Sequence, residues 1–380
     1  MEKIQIKWDK ETKKKVIIIS GIILITLIIL YVSFYITNEN FRSFFDRNIL
    51  RKEVTENKAN SIDISMQDNP SIYAYDKYIT ILNKNILTMY NTLGKKEYEL
   101  EISISDAIYA SNNRFLAIAQ NNGQKIYIIV DGNILWETEL EGEIKKVNIN
   151  KNGYVSIVTS ETNYKTVVSS YNANGKKLFK NYLSSTTAID TSISNDNKYL
   201  AIAEVNTSGT LIQSSIKIVS VEKAQTEPEN AIIYTHNLEA DSLITTVQYQ
   251  NKNRLISKYD SGVHSLLEQK DEIVVEFNQE KVGFASIKLD NYVVYTIEKN
   301  VGLFNSNTQV NLKNTENGKE NIYTAKGVVK DIKTYENNIA LNLGSEIHFI
   351  TTNRMAYKKI HFRKRSKRHC TCRKNCRNSI

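Results

Sequence analysis

SNNRFLAIAQ, at residues 111–120, and SNDNKYLAIAE, at residues 194–204, are two copies of one pattern, a polar turn followed by a short apolar strand. Phe115 and Tyr199 open the strand in the two copies and lie 84 residues apart, which is twice 42. Between them, NKNGYVSIVTS at residues 150–160 repeats the turn and the strand. A period of about 40–45 residues with short strands is typical of a β-propeller, in which each unit is a four-stranded blade.

Weaker copies bring the number of units to seven, at spacings between 37 and 56 residues. They are DKYITILN (76–83), NKNRLISKY (251–259), LDNYVVYTI (289–297) and YENNIALNL (335–343). In the second unit, the segments AIYAS, RFLAIAQ, KIYIIVDG and ILWETELE predict the four strands. A polar insertion, VEKAQTEPEN at residues 221–230, accounts for the longest spacing, and we expect it to be an exposed loop.

These repeats predict an all-β fold. We expect a β-propeller with about seven recognisable four-stranded units, eight in the intact protein, preceded by one N-terminal transmembrane helix.

The N-terminal segment VIIISGIILITLIILYVSFYIT, residues 16–37, has 22 residues without a charge. As a helix it would be about 33 Å long, enough to cross a hydrocarbon core of about 30 Å. Six lysines precede it and no small-residue cleavage site follows, so we expect an uncleaved signal anchor with a cytoplasmic N-terminus and an extracytoplasmic C-terminal domain. FRSFFDRNILRKEV at residues 41–54 predicts a short amphipathic helix at the membrane surface.

The C-terminal stretch, residues 354–380, differs from the rest of the chain. It holds eleven Lys and Arg residues, no acidic residue and all three cysteines, and it shows no repeat. Because the whole chain carries a formal charge of +9, the other residues carry −2. The basic pI and the cysteine content therefore belong to this tail alone.

A shifted reading frame would explain the break in pattern. Back-translated with A/T-rich codons and read from the second base of the Arg354 codon, the tail becomes GWLIKKYISEKEVKDIVLAEKIAGIVY. This string restores a strand, a balance of charges and a further repeat. Our hypothesis is one extra base near the Asn353 codon. It predicts a disordered tail and a propeller that lacks the last strand of its seventh unit and the whole of its eighth.

The order of four features carries a resemblance to a known family: the lysine-flanked signal anchor, residues 41–54, repeated blades such as residues 182–225, and GWLIKKYIS in the restored reading. The chain resembles the membrane-anchored, propeller-like proteins of the domain of unknown function 5711 family, from its N-terminus to about Asn353. The resemblance implies an anchored propeller that faces outward. It brings no established activity and no catalytic residues.

Few residues suggest chemistry. HCTCRKNC at residues 369–376 lacks the spacing of a zinc knuckle and would lie outside the cell, so we expect neither a metal site nor nucleic-acid binding there. Trp136, in GNILWETEL, resembles the repeated Trp of quinoprotein-type propellers, but packing between blades accounts for it. His236, His264 and His348 fall in different units and form no catalytic set.

We therefore expect a non-enzymatic binding or scaffolding module in the cell envelope, without cofactor, metal or catalytic residues, whose partner is a protein, a peptide or a glycan. One alternative is an extracytoplasmic enzyme of quinoprotein-like type, which carboxylates converging on the ring centre would favour. The other is metal or nucleic-acid binding through the basic tail.

The expected order of segments along the chain is a cytoplasmic N-terminus (1–15), a signal anchor (16–37), a juxtamembrane helix and linker (38–60), a propeller (61–353) and an aberrant tail (354–380).

Overall fold

The computed structural model describes residues 10–37, 62, 64, 69–91, 93–238, 242–277, 282–300, 306–352 and 356–361. The predicted juxtamembrane helix at residues 41–54 and the Cys-containing part of the tail at residues 369–376 lie outside these described residues.

The predicted anchor is a helix. Helix α1 (Lys10–Thr37) contains the apolar segment, and its stretch Lys14–Ile36 is long and apolar enough to cross a membrane. None of that stretch is buried by the other residues that the structure describes. Because a row of exposed apolar side chains is unfavourable in water, the helix suits a lipid environment.

The described residues beyond the helix form seven four-stranded antiparallel sheets, the blades. Blade 1 consists of β1 (Ser71–Tyr75), β2 (Tyr78–Asn83), β3 (Ile86–Asn91) and β4 (Lys96–Glu101). Blade 2 consists of β5 (Ala107–Asn112), β6 (Phe115–Gln120), β7 (Lys125–Val130) and β8 (Asn133–Glu139). Blade 3 consists of β9 (Glu143–Ile149), β10 (Val155–Ser160), β11 (Thr166–Tyr171) and β12 (Lys177–Leu183).

The other four blades repeat this arrangement. Blade 4 consists of β13 (Thr187–Ile193), β14 (Tyr199–Asn206), β15 (Gln213–Ser220) and β16 (Ile232–Asn237). Blade 5 consists of β17 (Ile244–Tyr249), β18 (Leu255–Tyr259), β19 (Gly262–Leu267) and β20 (Lys270–Glu276), with a 3₁₀ turn at Asn251–Asn253. Blade 6 consists of β21 (Val282–Ser286), β22 (Tyr292–Asn300), β23 (Ser306–Asn314) and β24 (Glu320–Lys326). Blade 7 consists of β25 (Asp331–Tyr335), β26 (Asn338–Asn342), β27 (Glu346–Thr351) and β28 (Ala356–His361).

The first strand of each blade is the innermost. Strands pair in chain order within a blade, and the first strands of blades 1 to 5 contact one another in succession, as do those of blades 6 and 7. Tyr73 of β1 stacks on Tyr109 of β5 with ring centroids 4.8 Å apart, and the hydroxyl oxygens of Ser286 on β21 and Thr334 on β25 are 2.7 Å apart. The blades thus surround a common axis, which confirms the predicted β-propeller.

The repeated sequence pattern marks the second strand of each blade. Phe115 and Tyr199 begin β6 and β14, and Tyr154 directly precedes β10. The preceding turns contain asparagines with positive φ, 51° at Asn113 and 63° at Asn197, a conformation that Asn tolerates. The periodicity in the sequence is therefore the first hairpin of each blade.

Packing between blades explains the apolar runs. The middle strands are covered on both faces by neighbouring blades, so FLAIAQ in β6 has four consecutive buried residues. Leu116 and Ile118 of this strand pack in one cluster with Leu82 and Leu87 of blade 1. The fourth strand is covered on one face only, and β8 accordingly alternates between exposed and half-buried residues from Leu135 to Glu139.

The insertion at residues 221–230 is not simply an exposed loop. It contains a short helix, α2 (Lys223–Thr226), and a 3₁₀ turn (Pro228–Asn230). Val221 and Ala224 are buried in the core cluster between blades 3 and 4, while the polar residues face solvent. The expected loop is wrong in this respect, because small apolar residues at turn spacing cover the edge of that core.

The prediction that the seventh unit lacks its last strand is wrong. Strand β28 pairs with β27 along Ala356–His361, so the first part of the tail is ordered and completes blade 7. An exposed edge strand accepts any extended backbone, and these residues contain neither Gly nor Pro to prevent pairing.

Blade 7 lies beside blade 1. Burial raises the pKa of Tyr335 on β25 to about 12, and the carboxylates of Glu336 and, from blade 1, Asp76 raise it further. The described residues thus form a ring of seven blades, and the expected eighth blade has no counterpart among them.

Candidate functional site

A buried carboxylate joins three blades next to the axis. Asp190, on β13, is 2% exposed. Its Oδ1 accepts hydrogen bonds from Lys146 Nζ and Asn148 Nδ2 on β9, both at 3.0 Å, and its Oδ2 accepts one from the backbone N–H of Val247 on β17 at 3.1 Å. A buried carboxylate is tolerated only when its charge and its oxygens are paired. Lys146 therefore already balances the charge of Asp190.

Two further lysines, Lys258 and Lys288, interact electrostatically with this carboxylate, and Lys333 interacts with Lys288. Lys258, on β18, stands opposite Thr246 of β17 in the strand register. Lys288 follows the end of β21, and Lys333 lies on β25 beside the contact between these two first strands. Together with Lys146, these residues are called the axial lysines below.

The axial lysines act on one another across the ring. Burial lowers the pKa of Lys258, the charges of Lys146 and Lys288 lower it further, and Asp190 opposes the shift. Burial also lowers the pKa of Lys288, where Asp190 again opposes the shift and Lys146 and Lys333 add to it. The charges that act on Lys288 come from Lys146 in blade 3, Asp190 in blade 4 and Lys333 in blade 7.

The axial lysines remain in contact with solvent. Lys288 is exposed, and the side chain of Lys146 is 38% exposed. Lys333 lies 3.3 Å from Asp331. Among the residues that the structure describes, neither Lys258 nor Lys288 forms an ion pair. The ring centre thus offers two amines whose positive charges are not balanced.

A second cluster lies between blades 4 and 5. Asp271 Oδ2, on β20, is 2.8 Å from His264 Nδ1 and 3.7 Å from His236 Nε2. His236 and His264 lie in different blades, as expected, but the outer strand of blade 4 brings His236 against blade 5, so the two histidines share Asp271. Within the described part of the chain, no group of three His, Cys, Asp or Glu residues has the arrangement of a metal site.

The third histidine is a core residue. His348, on β27, is 4% exposed, and its Nδ1 lies 2.9 Å from the hydroxyl of Tyr323 on β24. Its Nε2 lies 3.2 Å from Glu346 Oε1. These contacts join blades 6 and 7 and account for the imidazole as a structural group.

Comparison with known families identifies the chain. Residues 50–375 match the model of a family of unknown function, DUF5711. This protein belongs to the DUF5711 family. The match continues beyond Asn353, and the shifted frame stays a prediction that the gene sequence tests. No curated protein matches the chain.

Solved propeller structures are similar to this DUF5711 protein at low sequence identity. BamB from Moraxella catarrhalis is 12% identical with a TM-score of 0.45, over 79% of this chain and 90% of BamB. Apo AztD from Citrobacter koseri is 9% identical with a TM-score of 0.47, over 77% and 89% of the two chains. The propeller domain of Myceliophteria thermophila Cps50 (Swd1) is 10% identical with a TM-score of 0.46, over 73% and 91%. At these values the likeness concerns the fold alone.

Trp136 of this DUF5711 protein packs between blades, as predicted. Its Nε1 donates a hydrogen bond to the Ala173 carbonyl at 3.0 Å, and its ring stacks on Tyr171 with centroids 5.7 Å apart. Both partners belong to blade 3. The indole also covers Gly175, whose φ is +80°.

The axial lysines were not predicted from the sequence. Aligning the units on their first turns, with Asn150 matched to Ser194, places Lys146, Asp190 and Thr246 at one position in three successive first strands. This alignment would have revealed a charged layer around the axis. It would not have revealed Lys258, which lies on a second strand, or Lys288, which follows the end of a first strand. Lys333 lies on a first strand but at a different position.

Proposed function

We propose that this DUF5711 protein is a single-pass membrane protein that holds its propeller outside the cell as a non-enzymatic binding module. Its partner is a component of the cell envelope, a protein, a peptide or a glycan. The apolar helix α1 supports the anchor, and the lysines that begin it support a cytoplasmic N-terminus, since positive residues remain on the cytoplasmic side.

The charge at the ring centre carries this proposal. A quinoprotein-like enzyme needs a calcium ion, and calcium takes about six to eight oxygen ligands, mostly carboxylates and carbonyls. The described residues place four lysines around the axis, and the buried carboxylate among them, Asp190, is already paired with Lys146. This excess of positive charge opposes a cation and favours the binding of an anionic group on a partner.

The fold also suits binding. Neighbouring blades are joined by buried side-chain hydrogen bonds, such as the one between Asn150 Nδ2 and the Ser194 carbonyl at 3.0 Å. Such links keep the turns at the two faces of the ring in fixed positions. A rigid scaffold that displays polar turns loses little conformational entropy when a partner binds.

Cross-linking in intact cells tests the proposal. The full-length chain, expressed with an affinity tag, is treated with a membrane-impermeant amine-reactive cross-linker and purified in detergent. The proposal predicts capture of a discrete envelope component from unbroken cells. A chain consisting of residues 1–60 with the same tag is the control and should not capture it. Capture only after lysis, or capture of cytoplasmic proteins alone, would contradict the proposal.

A further inference from the structure

We propose that a cleft between blades 1 and 2 binds an uncharged sugar unit of an envelope glycan. This inference rests on the proposed function, because it selects a glycan among the three classes of partner named there.

The cleft lies where the two blades meet at one face of the ring. Its volume is about 430 Å³, within the range of about 300–1,000 Å³ that is usual for small-molecule sites. Its walls come from the turn between β2 and β3, the segment that links β4 to β5, and the end of β6. Because antiparallel strands follow one another in chain order, these three segments reach the same face of the ring. No axial lysine is among the described residues that line the cleft.

Polar side chains that the fold does not use line this cleft. The hydroxyls of Ser103 and Ser105 and the side-chain amides of Asn69 and Gln120 form no hydrogen bond with the residues that the structure describes. A hydroxyl and an amide each offer both donors and acceptors. These four side chains can therefore exchange hydrogen bonds with several hydroxyl groups of one ligand.

The backbone along one wall is fixed, and its N–H groups are occupied. The N–H of Ile102 donates to the Asn85 carbonyl at 2.8 Å, and the N–H of Ile104 donates to the Ile102 carbonyl at 3.1 Å. The N–H of Ser103 donates to the Tyr127 hydroxyl at 3.4 Å. A peptide that binds as an added strand needs free main-chain groups, and these three N–H groups are not available to it. Recognition at this wall therefore falls to the side chains.

The amide of Gln120 is held at the cleft by the turn that follows β6. Its side chain is half-buried and lies over Gly123, where an added Cβ would be 2.7 Å from Gln120 Oε1. A binding group whose position is already restricted loses little conformational entropy when its ligand arrives.

The lining also indicates the charge of the ligand. Among the described residues that line the cleft, Lys84 alone is charged, and it already interacts within the chain. The lining thus offers no carboxylate for a cation and no unmatched amine for an anion. Leu82 and Ile104, 4% and 3% exposed, add an apolar patch. A sugar ring carries hydroxyls on its edge and C–H groups on its faces, so it matches both parts of the lining.

Saturation-transfer NMR on the full-length chain tests the inference. The chain is purified in a zwitterionic detergent without a sugar headgroup, and glucose, galactose, mannose and N-acetylglucosamine are titrated singly. At least one of these sugars should receive saturation from the protein. Gln120→Ala and Ser105→Ala should each weaken its binding about threefold to tenfold, since each removes a neutral hydrogen bond.

Gln213→Ala is the matched control and should bind the sugar like the wild type. Gln213 is exposed at the start of β15 in blade 4, and its side chain forms no hydrogen bond with the described residues. All three variants should melt like the wild type, because the fold uses none of these side chains for hydrogen bonding. If no sugar binds, or if Gln120→Ala and Ser105→Ala both bind it as the wild type does, the inference is overturned.

This inference and the proposed function fail separately, because the titrations use the purified chain and do not depend on its side of the membrane. If no sugar binds while cross-linking captures an envelope protein, the inference fails and the proposed function stands. If a sugar binds as expected while only cytoplasmic proteins are captured, the placement outside the cell fails and the cleft remains a sugar site.

Discussion

At the scale of single residues, aromatic side chains dock on glycines of the next blade. Trp136 covers Gly175 in blade 3, and Phe115 covers Gly153 in the same blade. Both glycines have positive φ, +80° and +82°, which L-residues rarely adopt. The absence of a Cβ lets the ring lie directly on the turn. These contacts fix one blade against its neighbour.

Gly175→Ala should lower the free energy of unfolding more than Gly318→Ala. A Cβ at Gly175 would lie 2.8 Å from Trp136 Cγ, whereas Gly318, with φ of +69°, has open space around it. The backbone strain of about 1–2 kcal/mol is common to both variants, and overpacking adds about 1–3 kcal/mol to the first. Denaturant unfolding of both variants measures the difference. Equal losses would show that the aromatic contact contributes nothing.

Lys258→Gln should change how stability depends on pH. Because the folded pKa of Lys258 is lowered below 10.5, the folded state binds fewer protons than the unfolded state between these two pKa values. The contribution of Lys258 to the free energy of unfolding therefore rises with pH between its folded and unfolded pKa values. Glutamine does not titrate, so the variant lacks this rise. Thermal melts of both proteins between neutral pH and pH of about 10 measure it. Tyrosines titrate in both proteins and cancel, and parallel pH profiles would contradict the pKa shift.

At the scale of elements, the sequence predicts the inner part of each blade better than its edge. Strands β6 and β14 are buried on both faces, so their solid apolar runs stand out from the polar turns. Strand β28 has no such run, because an outer strand needs only an extended backbone to pair. Under the frame hypothesis the residues of β28 are not native to the repeat, but they still pair with the edge of β27.

Removal of β28 should destabilise blade 7. A chain that ends after Thr352 leaves the edge of β27 unpaired and uncovers the core where Ala356 packs. A chain that ends after His361 retains the strand and is the matched control. The shorter chain should melt at a lower temperature and aggregate more readily. Identical melting temperatures would show that β28 adds nothing to the blade.

The gene sequence around the Asn353 codon tests the frame hypothesis. Removal of one base there should open a frame that encodes GWLIKKYIS followed by a further repeat. The restored segment would occupy the same edge as β28 with an aromatic residue and larger apolar side chains, so a chain that carries it should melt at a higher temperature. If no shifted frame encodes this continuation, the hypothesis is wrong.

At the scale of the whole molecule, the ring was predictable but the chemistry of its axis was not. Seven similar turns along the chain specify seven blades, since each unit must bury its faces against the next. The axial lysines come from different blades and from different places within a blade, as Lys146 on a first strand and Lys258 on a second strand show. Their proximity results from ring closure, which no local pattern records.

The proposal that most needs a test is that the apolar helix α1 holds the propeller outside the cell. Lys288 is suited to report on this placement, because it is exposed and its lowered pKa makes its amine more reactive at neutral pH. Lys270, exposed on the outer edge of the ring, is the internal reference.

The most direct measurement is acylation of Lys288 and Lys270 in intact cells by a membrane-impermeant amine reagent, quantified by mass spectrometry before and after lysis. Placement of the propeller outside the cell predicts that both lysines are acylated without lysis. Acylation of either lysine only after lysis would contradict it.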